Sequence, residues 1–353
     1  MSEAQSKGIG FFERYLSVWV LLCMALGVVI SQVFPAVPAM LNAAQVYGQN
    51  IPIALLIWVM IFPMMLRIDF TSLGDVGRHP AGIVISSLAS WAVKPFLMLG
   101  LATFFLRGVF APIIGSDLAQ QYVTGAVLLG AAPCTAMVFV WSRLAGGDPA
   151  HTLVQVSVND LLILVLFVPL VSLLLGVNSV FVPWETLLAT MLLFVAIPLI
   201  AGAVVRTWAI RSRGEAWLDG VLLPKFEGVT TAGLLLMLVL IFSSQGDVLV
   251  GNPLHVVLIA IPLICQNVLS TLITYGGCRC ARLSYQVTAP ASLIAASDFF
   301  ELSVAVAVSL FGAGSPVVLA CTVGVLTEVP VMLMLVGLIR GRRATFAGEG
   351  GAR

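Results

Sequence analysis

The chain has 353 residues, of which 60% are hydrophobic and only 9% charged, with a formal net charge of +1. That composition is far too apolar for a soluble protein of this size, and so small a charge offers nothing to a nucleic acid. In chain order, ten apolar runs are each long enough to cross a bilayer: 15–34, 46–66, 81–106, 123–144, 153–175, 184–205, 221–244, 253–276, 287–311 and 316–339. No small-residue cleavage site follows the first run, so it reads as a retained span and not as a signal peptide. The expected fold class is an all-α polytopic membrane protein.

Orientation follows from the basic residues. Lys7, Arg14, Arg67, Arg78, Arg143, Arg206, Arg211, Arg213, Lys225, Arg279, Arg282, Arg340, Arg342, Arg343 and Arg353 all fall on one side of the ten runs. Arg107 alone falls on the other side, and Lys94 lies within the third run. The positive-inside rule then makes both termini cytoplasmic, as an even number of spans requires. The expected location is the cell membrane, with the lipid bilayer as the surrounding partner. Cys23, Cys134, Cys265, Cys278, Cys280 and Cys321 lie mostly in spans or on the cytoplasmic side, so a disulfide framework is not expected.

No soluble domain is visible. The longest hydrophilic segment is a loop at 206–228. Spans 1–5 and 6–10 each hold an odd number of crossings, so two halves of one fold would be inverted relative to each other. The expected division is a first five-span repeat at 1–175, a second at 176–340, and a cytoplasmic tail at 341–353. Internal similarity is weak but suggestive. Gly130-Ala131-Ala132-Pro133-Cys134-Thr135-Ala136 in span 4 matches a small-residue stretch in span 9, from Thr288-Ala289-Pro290 to Ala295-Ala296-Ser297-Asp298. Each is followed by a span with central polar groups: Asn159 and Asp160 in span 5, Thr327 and Glu328 in span 10.

Span 4 carries the first chemical signal. Pro133 removes a backbone donor in mid-membrane, and such a break persists only where protein or water satisfies the freed groups. Cys134 follows it directly. A half-helix start there would present positive partial charge to the sulfur and suit a soft, thiol-seeking ligand. Cys23, Cys265 and Cys321 read as packing residues, and Cys278-Arg279-Cys280 as two loop cysteines, because C-x-C alone is a weak metal signal.

Ionisable residues in the spans carry the second signal. Glu328, followed by a second expected break at Val329-Pro330, reads as functional. Asp298 and Glu301 are three apart and would share one helical face. Two carboxylates that close should not both ionise freely, which makes them a candidate proton carrier. The same pair reads equally well as caps on a broken helix end. Asp160 reads as fixing a neighbouring helix, and Lys94, before Pro95, as pairing with a carboxylate or snorkelling. His79, His151 and His255 lie near span ends. No Walker sequence, G-x-S-x-G or H-E-x-x-H occurs. Gly146-Gly147-Asp148 resembles an intramembrane aspartyl protease motif but falls in a loop.

Taken together, Ala132-Pro133-Cys134-Thr135-Ala136-Met137-Val138-Phe139-Val140-Trp141-Ser142, Gly147-Asp148-Pro149 and Val158-Asn159-Asp160 resemble the yeast-type arsenite efflux permeases of the bile acid/arsenite/riboflavin transporter superfamily. So do Ala296-Ser297-Asp298-Phe299-Phe300-Glu301-Leu302 and Gly324-Val325-Leu326-Thr327-Glu328-Val329-Pro330. The resemblance runs from span 1 to about Arg340. It implies ten spans in two inverted repeats, with discontinuous crossed helices at spans 4 and 9. It also implies efflux of trivalent arsenic, with antimonite as a second candidate substrate, in exchange for protons. The family's essential cysteine matches Cys134 and its essential glutamate Glu328. The implied substrate set is Pro133, Cys134, Thr135, Asn159 and Ser297, with Cys134 the ligand of arsenic(III) as substrate. The implied proton-coupling set is Asp298, Glu301 and Glu328. No cofactor is implied. One departure stands out: asparagine is expected at the position of Asp298, whose carboxylate puts the coupling ion in question.

Two other classes compete. A sodium-coupled symporter of an organic anion needs a polar sodium cage near spans 4 and 9 and has no use for Cys134. An intramembrane enzyme with Cys134 as nucleophile needs a base within hydrogen-bond reach, and no histidine lies at matching depth, so no enzyme is expected.

Overall fold

The computed structural model describes residues 16–43, 45–46, 49–66, 80–134, 137–177, 180, 183–244, 246–251 and 253–347. Thr135, His79, Lys7, Arg14, Arg67, Arg78 and Arg353, used above, lie outside the described residues. Helices dominate. They are α1 (Leu16–Val33), α2 (Ala36–Ala43), α3 (Ile51–Leu66), α4 (Pro80–Val109) and α5 (Ser116–Gly130). Then come α6 (Val138–Ala145), α7 (Pro149–Val177), α8 (Trp184–Arg213) and α9 (Glu215–Ser244). The last are α10 (Pro253–Cys280), α11 (Tyr285–Ala296), α12 (Phe300–Phe311) and α13 (Pro316–Gly341). Among the described residues, the strands are limited to a two-residue antiparallel pairing, Gln45↔Asn50 and Val46↔Gln49.

Among the described residues, seven helical segments are long and apolar enough to cross a membrane, and two shorter apolar helices lie at Leu21–Val33 and Ile51–Pro63. The fourth expected span is not one helix. It divides into α5 and α6 around the Pro133-Cys134 break, as the proline requires. The ninth divides into α11 and α12 around residues 297–299. Pro290 lies inside α11, so this second break is made by Ser297-Asp298-Phe299 and not by the proline.

Three expectations need correction. Residues 206–228 are not a loop: α8 runs to Arg213 and α9 begins at Glu215, with the turn made at Gly214 (φ 84°). A left-handed φ at one glycine lets two long helices meet end to end. Pro330 does not break span 10 either: α13 continues through it, and its ring faces outward. Only its own missing donor is lost there, which a transmembrane helix tolerates. Finally, Cys278 and Cys280 lie in the last turn of α10, not in a loop.

The centre of the molecule is built from the broken and last spans. Tyr285–Phe311 is 89% buried over its most apolar stretch, whereas Pro149–Val177 is 33% buried and turns most of its surface outward. Small residues permit a close helix approach between α5 and α13. A Cβ at Gly125 would strike the Val317 carbonyl and the Ala320 side chain, and Cys321 Sγ donates to the Gly125 carbonyl at 3.3 Å. Cys321 is therefore a packing residue, as its position in span 10 suggested.

Proline also shapes three of the long helices. The π-helical turns Ala89–Val93 in α4, Leu192–Ala196 in α8 and Leu218–Leu222 in α9 each stand just before a proline, Pro95, Pro198 and Pro224. A proline lacks the donor for the carbonyl four residues back, and the turn widens to accommodate the loss. In α4 that widened turn delivers Lys94 into the core.

Candidate functional site

The two breaks touch. The backbone N–H of Phe299, in the second break, donates to the carbonyl of Ala132, in the first, at 3.0 Å. Helix ends in a membrane leave carbonyls and amides that something must satisfy. Here other parts of the protein do so. Ser303 of α12 donates to the Leu128 carbonyl at 3.0 Å, near the end of α5. Lys94 of α4 donates its ammonium to the carbonyls of Ala132, at 3.1 Å, and Ser297.

Asp298 sits in the second break, outside any helix. The expectation that it shares a helical face with Glu301 is thereby corrected, because α12 begins only at Phe300. Its carboxylate pairs instead with Lys94, Oδ1 to Nζ at 2.9 Å, with side chains 2% and 0% exposed. With its amide turned so that nitrogen faces these oxygens, Asn267 of α10 donates to Asp298 Oδ2 at 3.1 Å and to the Ala296 carbonyl at 3.0 Å. A buried ion pair needs such additional bonds to offset its desolvation. Glu301 lies in the first turn of α12, where the helix dipole favours a carboxylate.

Glu328, from the middle of α13, reaches the same place. Its Oε1 accepts the backbone N–H of Asp298 at 3.1 Å. Thr327 beside it donates back to the Val323 and Gly324 carbonyls within its own helix.

Cys134 lies in the first break, two residues beyond Ala132. It is buried among Val138, Val156 and Ile294, with Met137 and Phe139 packed against them. It stands in the gap between α5 and α6, not in the first turn of α6. Pro133 is buried beside it. Asn159, on the same helix as Val156, is buried; its Oδ1 accepts from Trp91 Nε1 at 3.2 Å and its Nδ2 has no partner among the described residues. Ser157 Oγ and Trp141 Nε1 are likewise buried and unbonded. Ser297 contributes its carbonyl to Lys94, while its hydroxyl donates back to the Ile294 carbonyl at 3.1 Å.

Two groups of this site were missed or undervalued in the sequence. Lys94 is central to the crossing, and a lysine before a proline in mid-span was the available signal. Asn267 had none beyond being polar in an apolar run. In contrast, Gly146-Gly147-Asp148 is structural. Asp148 caps α7 by accepting from the Ala150 amide at 3.0 Å, and its own amide donates to the Gln286 carbonyl at 2.9 Å.

Residues 54–252 match the model of the sodium bile acid symporter family. The chain is 50% identical over 342 residues to the arsenical-resistance protein Acr3 of Alkaliphilus metalliredigens, covering 97% of this chain and 96% of that one. It belongs to the arsenical-resistance permease family. An uncharacterised transporter of Synechocystis is 40% identical over 94% of this chain and 89% of its own length. The arsenical-resistance protein Acr3 of Corynebacterium glutamicum is 31% identical over 95% and 90%. This permease is a multi-pass membrane transporter and not an enzyme.

Proposed function

We propose that the protein exports trivalent arsenic from the cell in exchange for protons, and so gives arsenical resistance. The observation that carries this reading is the meeting of the two broken spans, with Cys134 at one break and Glu328 bonded to the other. Two relatives named for arsenical resistance, aligned over nearly the whole chain, support the substrate class.

Arsenite at neutral pH is the uncharged trihydroxide. Thiolate is the natural soft ligand for such a centre. Cys134 replaces one hydroxyl on arsenic, an S–As bond forms, and water leaves; hydrolysis reverses the step. One thiol keeps the exchange reversible, where three would sequester the arsenic. The donor of Asn159, with Pro133, Ser297 and the sequence candidate Thr135, is assigned to the remaining hydroxyls. Antimonite, with the same charge and shape, is the second substrate.

A neutral substrate gains nothing from the membrane potential. Exchange for one proton makes the cycle electrogenic, worth about 2.3 kcal/mol per 100 mV. Since about 1.4 kcal/mol is a factor of ten, that potential alone supports roughly a fifty-fold gradient. Glu328 is the coupling carboxylate. In its ionised form it holds the Asp298 amide; a proton weakens that bond and loosens the crossing. Asp298 and Glu301 shape the field around it.

The frame for this cycle is ten spans in two inverted repeats, 1–175 and 176–340, with both termini and the 341–353 tail cytoplasmic. The competing reading, a sodium-coupled symporter of an organic anion, leaves Cys134 without a task. Arsenite uptake into everted membrane vesicles, driven by an imposed pH gradient with sodium absent, tests the proposal. Uptake is expected to follow the pH gradient, and uptake that requires sodium overturns it.

A further inference from the structure

Lys94 has no exposed surface, and its ammonium sits among three oxygens. Two are peptide carbonyls, Ala132 at 3.1 Å and Ser297, and the third is Asp298 Oδ1 at 2.9 Å. These oxygens come from the breaks of two different spans. The carbonyls are available because the helices around them end; unwound carbonyls of this kind in broken transmembrane helices coordinate cations. The carboxylate is held in place from behind, since Asn267 occupies its other oxygen at 3.1 Å. Two carbonyls and one carboxylate make a cradle for a hard monovalent cation. An ammonium meets the same oxygens through two hydrogen bonds, to the carbonyls, and one ion pair, to the carboxylate.

A lysine differs from a dissolved cation in one respect: it cannot leave. Its stem is anchored in α4, directly after the widened turn and before Pro95. We propose that Lys94 is a tethered monovalent cation, filling from within a cation site at the crossing of the broken helices. The parent protein therefore takes up no external monovalent cation there, and the site accepts one once the lysine is cut back. This goes beyond the arsenite reading and does not depend on it, because the readout is cation binding.

The experiment uses the full chain purified in detergent. Thermal melting of the parent, Lys94→Ala and the Lys94→Ala/Asp298→Asn double variant is followed in sodium chloride, ammonium chloride and choline chloride at equal ionic strength. The parent is expected to melt at one temperature in all three salts. Lys94→Ala should melt lower in choline and recover, in a saturable way, with sodium or ammonium, because either ion refills the vacated cradle. The double variant should lose that recovery along with the carboxylate. A specific sodium response in the parent overturns the proposal. So does a folded Lys94→Ala variant that melts alike in all three salts. So does a Lys94→Ala variant that folds in none of them, which would make the lysine a covalent tie and not a replaceable ion.

Discussion

Glu328 meets Asp298 through the backbone: the amide of Asp298 donates to Glu328 Oε1 at 3.1 Å. The two carboxylates therefore do different work at one crossing. Asp298 spends its charge on Lys94, while Glu328 holds the chain of the second break. A glutamine at 328 keeps an oxygen that can accept the same amide, so the crossing should survive. What it loses is the exchangeable proton. Glu328→Gln is expected to insert and melt like the parent, and its net arsenite efflux should fall to the level of empty vesicles. A variant that still pumps against a gradient removes Glu328 from the coupling step.

The thiol is tested separately. Cys134→Ser conserves size and polarity in a pocket of Val138, Val156 and Ile294 but removes the soft ligand. Folding should be unchanged and cellular arsenite resistance lost. Cys278→Ser and Cys280→Ser, in the last turn of α10, should retain resistance. Full resistance of cells carrying the serine at 134 rules out direct ligation.

Much of this was legible in the chain because membrane spans announce themselves by length and hydropathy. Pro133 marked the first break, since a missing donor in lipid has a local cause. The second break was harder to place. Pro290 is the residue of span 9 that lacks a backbone donor, yet α11 runs through it, and the gap falls at Ser297-Asp298-Phe299, where no residue is a helix breaker. That gap is held open by long-range bonds, from Phe299 to Ala132 and from Glu328 to Asp298, which no local pattern encodes. The 3.6-residue period misled in the same place by setting Asp298 and Glu301 on one face. Lys94 was visible as an oddity, but its partners lie in two distant spans.

Asn159 offers a donor to whatever enters the pocket. Its oxygen is held by Trp91, while Nδ2 has no partner among the described residues. An unmet buried donor costs about 1–3 kcal/mol, which a substrate hydroxyl can recover on binding. Asn159→Ala removes that donor, and Trp91→Phe, which removes only the bond to the Asn159 oxygen, is its control. Arsenite transport by Asn159→Ala should show a raised KM, with the protein still folded. An unchanged KM places Nδ2 away from the substrate.

Helix contact can be tested without touching the site. At Gly125 an added methyl meets the Val317 carbonyl and the Ala320 side chain, neither of which can swing away. Gly125→Ala should cost about 1–3 kcal/mol, the usual range for overpacking. At Gly176 the same methyl meets nothing within 4 Å, so Gly176→Ala should be neutral or slightly stabilising. Equal melting temperatures for the two variants contradict the close approach of α5 and α13.

The Lys94–Asp298 pair predicts a sign reversal. Removing one partner of a buried ion pair leaves an uncompensated charge and costs about 3–5 kcal/mol, whereas removing both charges together costs far less. Asp298→Asn leaves the ammonium with two carbonyls and no counter-charge; Lys94→Met leaves the carboxylate with only the Asn267 amide. Each single variant should therefore melt well below the parent. The double variant Lys94→Met/Asp298→Asn should melt above either single one, since it buries no net charge. The coupling read from this cycle should be at least about 1 kcal/mol, within the range for residues in direct contact. The resemblance suggested only that Asp298→Asn restores the expected asparagine. The ion pair leads to a different expectation: the single substitution destabilises, and transport returns only when Lys94 is neutralised with it. If Asp298→Asn instead melts like the parent and the double variant melts lower still, the two charges do not hold each other, and the crossing is fixed by its backbone bonds alone.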